Sequence, residues 1–142
     1  MLNQFNKLSD DISATGQIFP EQIDFIKESG FKSIICNRPD MEKPGQPHHA
    51  NIDKLATENG IEHAYIPLQP GRLTPEILDA MTKALETMPK PILAHCASGM
   101  RSTLLWGIVN VKALGVDTVI TTARGAGYDL AKFRPVLKNF AK

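Results

Sequence analysis

Short apolar runs alternate along this chain with stretches whose apolar residues recur at helical spacing. Residues 5–8 and 11–15 predict two short strands joined at Ser9-Asp10, followed by a turn at Thr15-Gly16-Gln17. Pro20 suits the opening of a helix whose apolar stripe is Ile23, Phe25 and Ile26, and Gly30 is its natural stop. Residues 31–36, with Ser33-Ile34-Ile35-Cys36 at their centre, predict a buried strand that runs into the loop Asn37-Arg38-Pro39-Asp40. A helix over 49–59 stops at Gly60, and a strand over 61–66 follows. Thr74 caps and Pro75 opens a third helix, with Ile77, Leu78, Met81 and Leu85 on one face. Pro91 to His95 is a short apolar strand, and residues 102–114 form a strongly apolar helix ended by Gly115. Two short helices, over about 117–123 and 129–139, complete the pattern. The only long irregular segment is Pro39 to Pro47.

Strand–helix–strand alternation with crossovers of this length predicts an α/β fold in three layers, a mostly parallel central sheet flanked by helices. The whole chain, 1–142, reads as a single domain. Ligands of such sheets bind beyond the carboxyl ends of the strands. The Asn37–Asp40 loop and the segment after His95 both lie there.

Composition narrows the partners. Sixteen basic residues stand against fifteen acidic ones, so no electrostatic drive toward nucleic acid or an anionic membrane is expected. The N-terminus, Met1 to Lys7, lacks the apolar centre of a secretory leader, and no apolar run approaches membrane-spanning length. A cytoplasmic location is therefore expected, where a free thiol persists. Two cysteines, Cys36 and Cys96, are too few for a disulfide scaffold or a four-cysteine zinc site. His48, His49 and His63 lack ligand spacing with a second cluster, so neither a metal nor a cofactor is expected.

The chemistry concentrates in His95-Cys96-Ala97-Ser98-Gly99-Met100-Arg101-Ser102, between an apolar strand and a helix. A nucleophilic cysteine acts as its thiolate, whereas a free thiol titrates near ~8.5. The start of a helix supplies partial positive charge and unpaired N–H groups. Ala97, Ser98, Gly99 and Met100 can curl so that successive N–H groups point inward as an anion nest, with Gly99 permitting the backbone angles. Arg101 adds a fork that can hold two oxygens of a tetrahedral anion. Ser102 is placed to donate a hydrogen bond to the cysteine sulfur as it leaves. His95 is expected to turn away from the substrate and to hydrogen-bond the backbone. Arg38 borders the same edge and extends the anion pocket; Arg72 is a weaker candidate for the same role. Trp106 reads as core.

The string His95-Cys96…Gly99…Arg101-Ser102 resembles the signature loop of cysteine-dependent tyrosine and dual-specificity phosphatases. The resemblance extends through Thr15-Gly16-Gln17, Gly30 to Asp40, Gln46-Pro47 and Leu104-Leu105-Trp106 to the bacterial phosphatase-like domain also found fused to beta-lactamase-like hydrolases. It implies a dual-specificity-phosphatase fold, with the cysteine loop between the last core strand and a helix. Some phosphatases of that fold protect the nucleophile with a second cysteine, and by that resemblance Cys36 is a candidate disulfide partner for Cys96.

Two departures from the phosphatase pattern bear on the reaction. Only four residues separate Cys96 from Arg101, where phosphatases place five. That spacing is similar to the loop of rhodaneses, in which the cysteine carries a persulfide. The loop from Ile66 to Leu73, where a phosphatase carries its aspartate acid, contains no carboxylate, and Gln69 stands near that place. Asp40 is the candidate replacement acid. Sulfur transfer between thiols needs no such acid. The leading expectation is hydrolysis of phosphate monoesters through a phosphocysteine. The alternatives are a sulfurtransferase carrying a persulfide on Cys96, and an inactive module that binds anions or phosphopeptides. All three imply a small anionic partner, a phosphate ester or a sulfane sulfur donor, at the Cys96 loop.

Overall fold

The computed structural model describes residues 5–142, in which five strands and six α-helices follow the expected alternation. Of the N-terminal stretch read above for a leader, residues 1–4 lie outside the described residues. The strands are β1 (Asn6–Ser9), β2 (Ile12–Thr15), β3 (Ser33–Cys36), β4 (Glu62–Tyr65) and β5 (Ile92–His95). The helices are α1 (Ile23–Glu28), α2 (His49–Glu58), α3 (Pro75–Thr87), α4 (Met100–Leu114), α5 (Val116–Gly125) and α6 (Arg134–Ala141).

The sheet runs β1-β2-β5-β3-β4. A tight connection turns β1 back onto β2, so that pair is antiparallel. The other neighbours are parallel, because each is reached through a helical crossover. β2, β3 and β5 are buried at every position, while β4 forms a partly exposed edge. A strand covered on both faces must be apolar throughout rather than alternating, which is why Ser33-Ile34-Ile35-Cys36 and Ile92-Leu93-Ala94-His95 read as continuous runs.

Register divides the core between two faces. Ile34 pairs with Leu93, and both pack with Ile18, Ile23, Ile26, Ile52 and Ala56 beneath α1 and α2. Ile35 pairs with Ala94, and these face Met81, Leu105, Trp106, Val119 and Leu137 from α3 to α6. Three layers result, as expected. Helix α4 lies deepest, burying Leu105, Trp106, Ile108 and Val111. It approaches α5 at Gly107, where an added Cβ would stand 2.9 Å from a Val119 methyl.

Three helix boundaries differ from the sequence reading. α4 begins at Met100 rather than 102, because Gly99, in a left-handed conformation (φ 103°), turns the chain directly into the helix. A 3-10 turn over Pro20–Gln22 precedes α1. The last helix is likewise preceded by a 3-10 turn, Ala131–Phe133, and α6 then starts with Pro135 in its first turn, where a missing N–H costs nothing.

Thr15 and Cys36 both stand opposite His95 in the sheet register. The chain therefore leaves β2, β3 and β5 at one level, and the loops after all three meet at one edge. Among the described residues no helix is long and apolar enough to cross a membrane.

Leu105, fully buried between sheet and helices, tests the core directly. Leu105→Ala is expected to cost about 2–5 kcal/mol of unfolding free energy, read as a lower urea midpoint at unchanged slope.

Candidate active site

The loop from Cys96 to Gly99 joins β5 to α4 and is pinned from both sides. Cys96 N–H donates to Thr15 O at 3.4 Å, and Gln17 N–H to Ala97 O at 3.3 Å. Gly16 permits that approach, since a Cβ there would stand 2.9 Å from Ala97 O. From the other side the Tyr128 hydroxyl donates to Ser98 O at 3.1 Å while accepting from Asn6 Nδ2 at 2.9 Å. A side chain at Gly99 would collide with that hydroxyl, so this position needs glycine for space as well as for its φ.

Within the loop, Gly99 N–H donates to Cys96 Sγ at 3.1 Å, and Met100 N–H to Ser98 Oγ at 3.3 Å. Cys96 is buried, while Ala97 and Ser98 are exposed at the rim. Of the N–H groups expected to point inward, that of Gly99 meets the cysteine sulfur, while that of Met100 is taken by Ser98 Oγ.

Arg101 projects from the first turn of α4 and is fixed by three hydrogen bonds. Nη1 donates to Glu42 Oε2 at 2.8 Å and to Leu68 O at 2.9 Å; Nη2 donates to Glu42 Oε1 at 3.0 Å. A guanidinium has five N–H bonds in one plane. Those three contacts leave the Nε–H and one Nη2–H on the side-on edge, and the guanidinium also meets the Cys96 side chain. The Glu42 carboxylate pushes the Arg101 pKa further up, and Cys96, close by, adds to the effect.

Glu42 is also bound by Arg38 Nε at 2.9 Å. Its hydrogen bond from Arg101, reinforced by that from Arg38, holds its carboxyl below the ordinary range. The segment that delivers it is tightly folded. Met41 takes a left-handed conformation (φ 65°), and Gln46 braces the turn by accepting from Glu42 N–H and donating to Pro39 O. Arg38, named from the sequence as an anion-binding residue, is buried, with Nη1 on Gln17 Oε1 at 3.1 Å. Arg72 lies apart, lining a separate hollow with Tyr65 and Gln69.

Two expectations are corrected. The Ser102 hydroxyl donates to Asn37 Oδ1 at 2.8 Å rather than to the cysteine sulfur, because a fully buried asparagine side chain requires partners. Asp40 is turned toward α2: its carboxylate accepts from His49 N–H at 2.9 Å and contacts His49 Nδ1 at 2.6 Å. Burial opposes its ionisation, but the His49 bonds and the nearby His48 and His49 charges outweigh it, and the carboxyl sits below its ordinary value. A carboxylate so held keeps no proton to give. His95 is almost fully buried, and the backbone of Cys96 stands against its ring. Burial lowers its pKa to about 3.

Cys36 stands opposite His95 in register, and its Sγ donates to Arg38 O at 3.3 Å. Burial raises its pKa to about 11, and both cysteines are free thiols. Among the described residues, no three His, Cys, Asp or Glu side chains are gathered as a metal site.

Glu42, Asn37 and Tyr128 were not singled out from the sequence. Glu42 carried no motif, and Tyr128 is 30 residues distant from its loop partner. Asn37 alone had a signal, a polar residue ending a buried strand.

Comparison with known proteins places this geometry. Residues 4–113 match the family described as beta-lactamase hydrolase-like protein, phosphatase-like domain. A beta-lactamase hydrolase-like protein of Agrobacterium fabrum is 29% identical over 100 residues, 70% of this chain. This chain spans only 23% of that relative's length. A proposed phosphatase from Neisseria meningitidis is 29% identical with a TM-score of 0.87, covering 99% of each chain. A proposed phosphatase from Shewanella putrefaciens shares the fold at 20% identity, with a TM-score of 0.77 over 97% of this chain and 91% of its own.

In the folded state His95 stays neutral down to about pH 3, whereas its unfolded form takes a proton below about 6.5. The unfolded state therefore binds the extra proton, and stability falls as pH drops through that window, by up to about 1.4 kcal/mol per pH unit from this group. Replacing the ring with a group that does not titrate, His95→Asn, is expected to flatten the acid limb of stability between pH 6 and about 4, measured by urea titration at each pH.

Proposed function

The chain belongs to the family of the beta-lactamase hydrolase-like protein, phosphatase-like domain, and on that premise we propose that it is a cysteine-dependent phosphatase acting on small phosphate monoesters. Cys96 is the nucleophile. Its sulfur attacks phosphorus, a sulfur–phosphorus bond forms, and the ester oxygen leaves with the bonding pair. Water then attacks the phosphocysteine, releasing inorganic phosphate and restoring the thiolate. The amides of the 97–101 segment that Ser98 Oγ does not take, with the side-on edge of Arg101, receive the charge on the non-bridging oxygens.

The observation that carries this reading is the state of Arg101. Glu42 and Leu68 O take one end of the guanidinium and leave two parallel N–H donors on the edge that carries Nε. A fork of that shape matches two oxygens of a phosphoryl group. Glu42 is thus a positioning residue, fixing the fork's orientation before substrate arrives. It is not the acid, since Arg101 and Arg38 hold it ionised. With Asp40 and Glu42 both ionised and Gln69 an amide, the leaving oxygen must depart without a proton from a carboxyl group. The preferred substrates therefore have good leaving groups, such as aryl phosphates.

The four-residue spacing between Cys96 and Arg101 favours one second reading, a sulfurtransferase that holds a persulfide on Cys96. Both reactions are assayed side by side, hydrolysis of 4-nitrophenyl phosphate and transfer of sulfur from thiosulfate to cyanide. Phosphate release lowered by Cys96→Ser on the order of a thousandfold, with no sulfur transfer, is the expected result. Sulfur transfer alone moves the assignment to the second reading, and hydrolysis that survives Cys96→Ser overturns the nucleophile.

Glu42→Ala is expected to lower kcat/KM for the aryl phosphate about ten- to a hundredfold with an unchanged melting temperature, and Glu42→Gln to recover part of the loss. A rise in kcat/KM would instead mean that the carboxylate competes with substrate for Arg101.

A further inference from the structure

We propose that the cavity beside the Cys96 loop is a second anion subsite, so that the substrate carries one anionic group that reacts and another that does not. This rests on the phosphatase reading for the reacting group alone. The cavity, about 270 Å³, is walled by Gln17, Phe19, Arg38, Lys43, Gln46 and Ala97. Ala97 belongs to the Cys96 loop, so the cavity and the loop share a wall.

No acidic residue lines this space. Arg38 spends Nε on Glu42 and one Nη1–H on Gln17, which leaves both protons of Nη2 uncommitted. Lys43 is exposed on the rim and makes no ion pair among the described residues. The neighbouring carboxylate, Glu42, is already shared between Arg38 and Arg101. Three cations thus stand against one carboxylate, and a phosphoryl group at the loop meets only Arg101. The excess charge at Arg38 and Lys43 faces the cavity.

The walls are built before any ligand arrives. Gln17 N–H ties one side to Ala97 O, and Gln46 ties the other through Pro39 O and Glu42 N–H. Phe19, 45% exposed, offers an apolar face for the carbon skeleton between the two anions. The chemistry fits a phosphate monoester whose second group is a phosphate or a carboxylate.

Calorimetry on the full chain tests the subsite without requiring turnover. The probes are methylphosphonate, the α,ω-alkylene bisphosphonates from ethylene to hexylene, and the matching phosphonocarboxylates. At least one two-anion probe is expected to bind about tenfold more tightly than methylphosphonate, and Lys43→Glu to collapse that ratio toward one. Lys138→Glu, a charge reversal at an exposed position on α6, is expected to leave the ratio in place. The better of the two probe series identifies the second group. A ratio near one in the unaltered protein, or a ratio that survives Lys43→Glu or falls equally with Lys138→Glu, overturns the subsite. Hydrolysis of 4-nitrophenyl phosphate is scored separately. Turnover without a two-anion preference removes the subsite and keeps the phosphatase, whereas a Lys43-dependent preference without turnover removes the phosphatase and keeps the subsite.

Discussion

One buried asparagine joins the parts on which the site depends. Asn37 leaves β3 with its backbone N–H on His95 O at 2.8 Å and its carbonyl accepting from Leu68 N–H at 2.9 Å. Its side chain donates to Ile66 O at 2.9 Å and accepts from Ser102 Oγ at 2.8 Å. The end of β5, the segment after β4 and the first turn of α4 are thereby held to one residue. An unpaired amide at a fully buried position costs on the order of 1–3 kcal/mol, so the four bonds form together or the edge of the sheet rearranges. The Cys96 loop and the carbonyl that receives Arg101 are located relative to one another by this constraint.

That arrangement assigns the polar residues of the edge to different work. Ser102 spends its proton on the scaffold, and Asp40 is spent on the start of α2. Glu42 alone reaches inward, and there it meets two arginines. The site is consequently rich in donors and lacks a protonated carboxyl group. On the proposed phosphatase reading, such a site acts by holding charge and geometry rather than by moving a proton.

The architecture was legible because it rests on local signals. Continuous apolar runs marked β3 and β5, helical stripes marked α2 and α3, and Gly, Pro and Thr74 marked most boundaries. The turn at Cys96 between β5 and α4 was legible for the same reason, since its residues are contiguous and Gly99 marks the start of the helix. What escaped depends on approach through space. Glu42 lies in an irregular segment and is defined only by the arginines folded against it. Tyr128 reaches Ser98 from across the chain. Ser102 has a local sequence context that fits more than one partner, and the partner actually met, Asn37, is set by how the strands align.

The Tyr128 contact carries a consequence for how such a site diversifies. The matched family span ends at residue 113, and Tyr128 lies beyond it. Its hydroxyl nevertheless touches the backbone of the Cys96 loop and fills the space above Gly99. The curvature of the loop is thus shared between the matched span and a residue outside it. Change at that residue can retune the bowl around Cys96 while leaving every residue of the loop untouched.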